Sequence, residues 1–560
     1  MCAAVAAARH GAKVALIQDR PVLGGNASSE IRMWICGAHG ENRRETGLVE
    51  ELSLENNFRN SESSISVWDS VLYQFVRFQP GLELYLNCTV TAAEMDGARI
   101  ASVSAWQMTN ETRHTFRARI FADCSGDAIL APMTGAEWRL GREARTEHDE
   151  DIEPEKADKK TMGMSCLLQV REMSHPVKFT PPKWARKFER DEDMPLRDHG
   201  FKDTHNFWWI ELGGENDVLH DAEELRDRLL PIVFGVWDHV KNHGDHGAEN
   251  WSLDWVGFLP GKRESRRYVG AYTLTQNDVR AEGRFEDQVA YGGWTMDDHN
   301  PAGFDYPGAP NIFHPAPSPF GIPYRCLYSR NIDNLMFAGR DISVTHAALS
   351  ATRVMATCAT LGQAVGTAAA IAIRYGELPG DVYARHIGEL KQLLMDDDAW
   401  LPFNVRAVPK MSLDAQLTAS EGNPEPLRNG VDRPWDGKDN AWSCKKGGCV
   451  QYLFSQETFV SSARIIFDSD LNRSGVVEKY NIVSNYPLDL PARHTPSTMV
   501  KVFRVEVLDA NGEWKVAARE ECNYQRLVRV PLNTKALGVR LVLEDTWGKE
   551  ECRVFSFDVR

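Results

Sequence analysis

The sequence predicts an α/β chain with an inserted α+β domain and an all-β sandwich at its C-terminal end. Three observations carry that prediction. Residues 334–373 run from a short apolar strand through a glycine turn into a helix of small residues. An Ala-rich helix at the start passes through Gly11 into a strand, Lys13–Ile17. Beyond residue 440, short alternating runs read as antiparallel strands. At 560 residues the chain is long enough for two or three domains with substantial cores.

The first of these stretches organises the rest. It reads "NLMFAGRDISVTHAALSATRVMATCATLGQAVGTAAAIAI". Leu335–Ala338 suits a buried strand. Gly339 lets the backbone turn tightly beside a ligand. Asp341, Ser343 and His346 follow within one loop, and a helix begins near Ser350. That helix is so rich in Ala, Gly and Thr that another backbone or a flat ligand can approach it closely. A buried strand and an Ala-rich core helix would explain this composition. They would not explain Arg340, Asp341, His346 and Arg353 crowded around one turn.

The stretch resembles the C-terminal flavin motif of FAD-dependent oxidoreductases of the glutathione-reductase-like superfamily. More narrowly, it is similar to a bacterial FAD-dependent oxidoreductase family carrying "AGR-I-S--H-A----RVM-TC---GQA-GTAAA". The resemblance implies a Rossmann-like, glutathione-reductase-type domain with FAD as cofactor. Within it Gly339, Asp341 and Ser343 bind the cofactor, with Asp341 on the ribityl chain. The helix N-terminus lies near the pyrimidine edge.

In a dinucleotide-binding fold the N-terminal helix and strand are the first helix and the second strand. The first strand and its G-x-G-x-x-G turn would precede them, so the chain is expected to be truncated relative to its family. Where the fold normally places an acid to accept from the adenosine ribose, this chain has Gln18, an uncharged acceptor, with Asp19 beside it. Gly24 and Gly25, in "PVLGGNASSEIRMWICGAHG", resemble the family's second glycine turn. Asn26, Ser28 and Ser29 are short polar residues suited to phosphate or flavin-edge contacts. Cys36 reads as core or as a thiol near the isoalloxazine.

Leu48–Phe78 has amphipathic helical spacing, and Leu82–Val90, Arg99–Trp106 and Thr115–Phe121 alternate like strands. "FADCSGDAILA" follows and resembles the superfamily's "ATGD" signature, with Gly126 permitting the turn and Asp127 ordering the loop. Residues 142–160 read as a solvated charged loop. In "GFLPGKRESRRYVGAYTLTQNDV", Arg263, Glu264, Arg266 and Arg267 cluster either as a clamp on substrate or as a structural ion pair. Tyr324 is expected to line the same cavity. These motifs place an FAD-binding domain at 1–141 and 301–398, a substrate domain at 142–300, a linker at 399–439 and a sandwich at 440–560. The sandwich resembles galactose-binding-like, discoidin-type modules, in which Trp435, Trp442 and Trp547 stack on sugar rings or fill the core.

A net charge of −15 without a basic tract excludes nucleic acid as partner. No run of about 18 or more apolar residues predicts a membrane span. The eleven cysteines are odd in number and scattered, which reads as thiols rather than a disulfide framework. No short zinc-ligand spacing occurs, so no metal is expected.

The favoured reaction is hydride transfer from an alcohol C–H of a small polar substrate, a saccharide or polyol, to flavin. His346 is the expected base, and Arg353 and Arg340 stabilise charge. Two alternatives stand beside it. One is an inactive paralogue that binds carbohydrate, and the other is a flavoenzyme acting on a small carboxylic acid.

Overall fold

The computed structural model describes residues 1–202 and 205–560. They form a mixed α/β chain with a large antiparallel sheet in the C-terminal region. Two compact units result. The first contains Met1–His39, Ser63–Leu390 and Tyr480–Ala492, and the second Gly40–Glu62, Lys391–Lys479 and Arg493–Arg560.

In the first unit, helix Cys2–Arg9 buries all but its last residue. Its chain turns at Gly11, where φ is 93°, and enters strand Val14–Ile17. That strand pairs in parallel with Leu82–Tyr85. A second parallel pair joins Phe121–Asp123 to Leu335–Phe337, bringing together motifs some two hundred residues apart. The two pairs are separate two-stranded sheets. Asn87, in the left-handed region at φ 54°, ends the expected strand 82–90 early. A new strand, Cys88–Asp96, then pairs antiparallel with Arg99–Gln107, which in turn pairs with Thr112–Phe116.

Within this unit lies one further apolar core. It is built from Met164, Leu168, Trp209, Leu229, Trp237 and Trp251 among others, around helix Ala222–Asn242.

The expected helix near Ser350 is two helices. His346–Thr352 is capped by the Thr345 side chain, and Met355–Tyr375 follows after a break at Arg353 and Val354. The longer helix is apolar and long enough to cross a bilayer, but 78% of its apolar window is buried inside the protein. Its small residues admit another backbone: a Cβ on Gly366 would lie 2.0 Å from the carbonyl oxygen of Ala3. Gly366→Ala should therefore destabilise the first unit by at least about 1–3 kcal/mol through overpacking. Denaturant unfolding measures this, and an unchanged midpoint would refute the close approach.

The expected helix 48–78 is also split. Leu48–Arg59 belongs to the second unit and Ile65–Arg77 to the first, with Ser63 at φ 53° between them. The second unit is dominated by a seven-stranded antiparallel sheet. Its two longest strands, Cys449–Phe467 and Leu527–Thr546, are longer than the short runs expected there. The segment 399–439 is not a bare linker, because Gln416–Ala419 pairs with Leu453–Val450 and Leu427 lies in the core. Trp442 is core as well, its indole N–H donating to the Glu421 carbonyl. Trp435 lies under the Arg43 guanidinium, and Trp547 packs partly buried against the core. None of the three is an open sugar platform.

Candidate functional site

Some of the expected cofactor residues, Asn26, Gly126, Asp127 and Asp341, meet within the first unit. Asp341 follows strand Leu335–Phe337 and is fully buried. Its Oδ2 accepts from the backbone amides of Gly126 (3.2 Å) and Ala128 (3.3 Å), so the two glycine turns are joined by one carboxyl. Its Oδ1 is buried with no hydrogen-bond partner among the described residues. Burial, reinforced by Asp123, raises its pKa well above the usual carboxylate value.

Gly126, at φ 73°, is where the chain passes the Arg340 guanidinium, whose central carbon would lie 2.8 Å from a Cβ there. Arg340 donates to Asp127 Oδ1 (3.0 Å), Lys262 Nζ to Asp127 Oδ2 (2.9 Å), and the Ser265 hydroxyl to Asp127 Oδ1 (2.7 Å). Asp127 thus gathers three donors around the turn. Asn26, in the turn begun by Gly24 and Gly25, donates to the Lys262 carbonyl and brings the third glycine turn to the same place.

A second cluster surrounds His346, which is not in a loop but opens helix His346–Thr352. Its Nδ1 meets Glu264 Oε2 at 2.9 Å and its Nε2 meets Asp298 Oδ1 at 3.2 Å. Burial opposes charge on the ring, but Glu264 and the hydrogen bonds to Asp298 and Glu264 raise its pKa well above the usual imidazole value. That shift favours the charged ring between Glu264 and Asp298, a state that donates rather than accepts a proton.

The helix amides meet further acids: His346 N–H donates to Glu143, and Ala347 N–H to Glu153. Glu143, Glu150 and Glu153 are all buried, which corrects the reading of 142–160 as a solvated loop. Glu143 also faces Arg267.

Strand Met296–His299 links this cluster to two arginines. Asp298 reaches His346, while the Asp297 carboxylate accepts from Arg353 (3.1 Å) and approaches His299 Nε2 (3.2 Å). His299 Nδ1 lies 2.7 Å from Glu211, which stands 3.4 Å from Arg263. Arg263 Nη1 and Arg353 Nε are buried nitrogens with no hydrogen-bond partner among the described residues. Arg263 and Glu264 therefore belong to one continuous polar system with Arg353 and His346.

The other expected residues are placed elsewhere. Arg266 lies over the ring of Trp138, 5.3 Å from its centroid. Tyr324 is core, its hydroxyl donating to the Pro379 carbonyl. Ser343 is fully buried against the Thr273 hydroxyl. Ser28 accepts from the Glu30 amide in its own turn, and the Ser29 amide donates to Asp69. Gln18 donates to the Val22 carbonyl, and Asp19 is exposed beside Arg20.

Glu143, Glu153, Glu211, Lys262, Asp297, Asp298 and His299 are the residues that sequence reasoning missed. Their one local signal is the acid-rich "MDDH" of 296–299, flanked by strand-like residues.

Glu153 has a measurable consequence. Burial, with Glu143 adding and His346 opposing, raises its pKa to about 7 from 4.5, and its Oε2 is unpartnered among the described residues. The folded state therefore holds a proton that the unfolded chain releases above 4.5. Stability should fall by about 3 kcal/mol as pH rises from 4.5 to 7. Glu153→Gln should flatten that decline, read from urea unfolding at pH 5 and pH 8. A variant with the wild-type slope would show that Glu153 titrates normally.

Among solved structures, the chain is similar to a family 32 carbohydrate-binding module from Streptococcus pneumoniae EndoD. Identity is 18%, over 28% of this chain and 97% of that one, with a TM-score of 0.20. It is also similar to the family 32 module of C. perfringens NanJ in complex with galactose (9% identity, 27% and 95% covered, TM-score 0.19). A third is chitosan-binding module 1 of a Paenibacillus sp. IK-5 chitosanase/glucanase (11%, 27% and 97%, TM-score 0.19). At such TM-scores these likenesses carry no argument about this chain. No curated protein matches it. A family model described as FAD dependent oxidoreductase matches residues 1–394, more than half of the sequence, and the chain therefore belongs to the FAD-dependent oxidoreductase family.

Proposed function

We propose that this enzyme oxidises an alcohol C–H of a small, uncharged polar substrate, a saccharide or polyol, with FAD as its cofactor. Its parallel strand pairs are read as parts of a glutathione-reductase-type FAD domain, and its C-terminal sheet as a galactose-binding-like sandwich. Bound FAD supplies a two-electron acceptor for hydride. The observation that carries the cofactor placement is the unpartnered Oδ1 of Asp341 at the meeting of the Gly126 and Gly339 turns. A ribityl hydroxyl both donates and accepts, so it satisfies this carboxyl in either protonation state. Arg340 and Lys262 hold Asp127 and so keep the turn beside it in place.

On the substrate side, Arg263 and Arg353 each offer an unpartnered N–H. Their charge does not stand alone. Arg263, Arg353 and the His346 imidazolium are met by Glu211, Asp297 and Asp298. With Glu264 also beside His346, the carboxylates facing these groups are no fewer than the cations, which leaves no excess of positive charge for an acid substrate. They offer donors and acceptors together, which suits vicinal hydroxyls. The proton-accepting group is the carboxyl whose pKa lies near neutrality, Glu153, which accepts from the Ala347 amide next to His346.

The test is anaerobic bleaching of the flavin bands in FAD-loaded protein by panels of aldoses and polyols and of 2-hydroxy acids. Bleaching by sugars or polyols is expected. Bleaching by the acids alone would overturn the substrate class, and bleaching by neither would overturn alcohol oxidation.

A further inference from the structure

Away from the residues discussed so far, the first unit gathers three histidines and an aspartate. Asp191 opens the short turn Asp191–Asp193, and His199 lies in the loop beyond it. His239 is in the last turn of helix Ala222–Asn242, and His246 follows in the next loop. One ligating atom of each lies within 4.8 Å of the other three. No short sequence motif announces the group, because three separate segments supply it.

The spacing is that of a coordination polyhedron. His239 Nε2 lies 3.1 Å from Asp191 Oδ1 and 3.2 Å from His246 Nε2. His246 Nε2 and His199 Nδ1 stand 3.6 and 3.7 Å from the same carboxylate oxygen. Ligands about 2.0–2.1 Å from a tetrahedral Zn²⁺ are separated by about 3.3–3.4 Å.

The tautomer is also set. His239 Nδ1 lies 3.1 Å from the Phe188 carbonyl oxygen, which can only accept, so Nδ1 carries the hydrogen. In the neutral ring, Nε2 then presents a lone pair toward another imidazole nitrogen and a carboxylate oxygen. A metal cation relieves such a meeting of lone pairs, as does a proton on one of the rings. A carbonyl fixing the far nitrogen is the usual outer support of a metal-bound histidine.

We propose that Asp191, His199, His239 and His246 form a Zn²⁺-class metal site that ties the 191–199 loop to the end of helix Ala222–Asn242. Three imidazoles and one carboxylate suit zinc, whereas Mg²⁺ and Ca²⁺ prefer all-oxygen sites. His239 is fully buried, while the Asp191 side chain is 65% exposed, so an ion enters past the carboxylate. The entrance is an open depression of about 850 Å³ that Asp191, His199 and His246 help to line. Four protein ligands make it a structural site rather than one holding a reactive water.

The test uses the full chain loaded with FAD. After chelation and gel filtration, the protein is incubated with Zn²⁺, freed of excess metal and analysed for zinc. One zinc per chain is expected, together with a higher Tm than the chelated protein. His199→Gln/His246→Gln should lose the zinc and the Tm gain while keeping its flavin. Asp191→Asn, altering an exposed side chain, should weaken zinc at least about tenfold with an unchanged circular dichroism spectrum. Co²⁺ in place of Zn²⁺ should give the intense visible bands of a four-coordinate ion. Wild-type protein that retains no zinc, variants that retain as much as wild type, or a weak six-coordinate cobalt spectrum would each overturn the proposal.

Discussion

Replacing Asp341 with alanine is expected to lower FAD affinity roughly 10- to 100-fold, a change of about 1.4–2.8 kcal/mol. The carboxyl joins the two glycine turns, so its removal acts twice. The Gly126 and Ala128 amides lose their common acceptor, and a buried donor left unsatisfied costs about 1–3 kcal/mol. The cofactor also loses the partner offered by Oδ1. Asp341→Asn separates the two losses, because its carbonyl can still accept from both amides while its NH₂ donates from the Oδ1 position. Burial and Asp123 favour the neutral carboxylic acid, so the asparagine should retain most of the affinity. Fluorescence titration with FAD measures both variants, with circular dichroism as the control for folding. An alanine variant binding FAD as wild type does would remove Asp341 from the cofactor site.

The turn that carries this carboxyl was legible because it is local. An apolar strand, a glycine and an acid within seven residues dictate their own geometry whatever surrounds them. Gly126 and Gly25 were legible for the same reason. The polar system beyond them was not. Glu143, Glu150 and Glu153 lie in a stretch whose composition is that of a solvated loop. They are buried because helix amides and Arg267, more than a hundred residues away in sequence, supply their partners. No local pattern distinguishes an acid that meets water from one that meets a helix end.

The arginine cluster had two readings, a clamp or a structural ion pair, and Arg267 does stand 3.7 Å from Glu264. Arg263, Arg266 and Arg267 are neighbours in sequence, yet each has a different partner, Glu211, Trp138 and Glu143. Extended backbone turns successive side chains apart, so closeness in sequence was no guide to a shared clamp. The small-residue helix left two readings open, a flat ligand or another backbone. At Gly366 the neighbour is the backbone of Ala3.

His346→Ala is expected to destabilise the first unit by about 3–5 kcal/mol, because it leaves Glu264 and Asp298 facing each other without their shared cation. The pH dependence identifies the cause. The His346 pKa is raised above 6.5, so its contribution is complete below 6.5 and is lost as pH rises through the folded value. The Asp298 pKa is lowered, although burial alone would raise it, because its hydrogen bond to His346 and the charge there outweigh burial. That contribution is present above 3.8 and is lost as pH falls through the lowered value. The gap between wild type and variant should therefore be widest between about pH 4 and 6.5 and should narrow on both sides. Urea unfolding at pH 5.5 and pH 9 tests this, and a gap independent of pH would mean that the ring acts by packing alone. The same variant bears on catalysis. A histidine serving as base would make flavin reduction about 10²–10⁴-fold slower on its removal, and the wild-type rate would climb only at alkaline pH. An imidazolium that positions Glu264 and Asp298 predicts instead a rate already developed near pH 7, with its rise following the Glu153 carboxyl. A wild-type rate whose rise does not follow the Glu153 value of about 7 but lies at higher pH would return the base to His346.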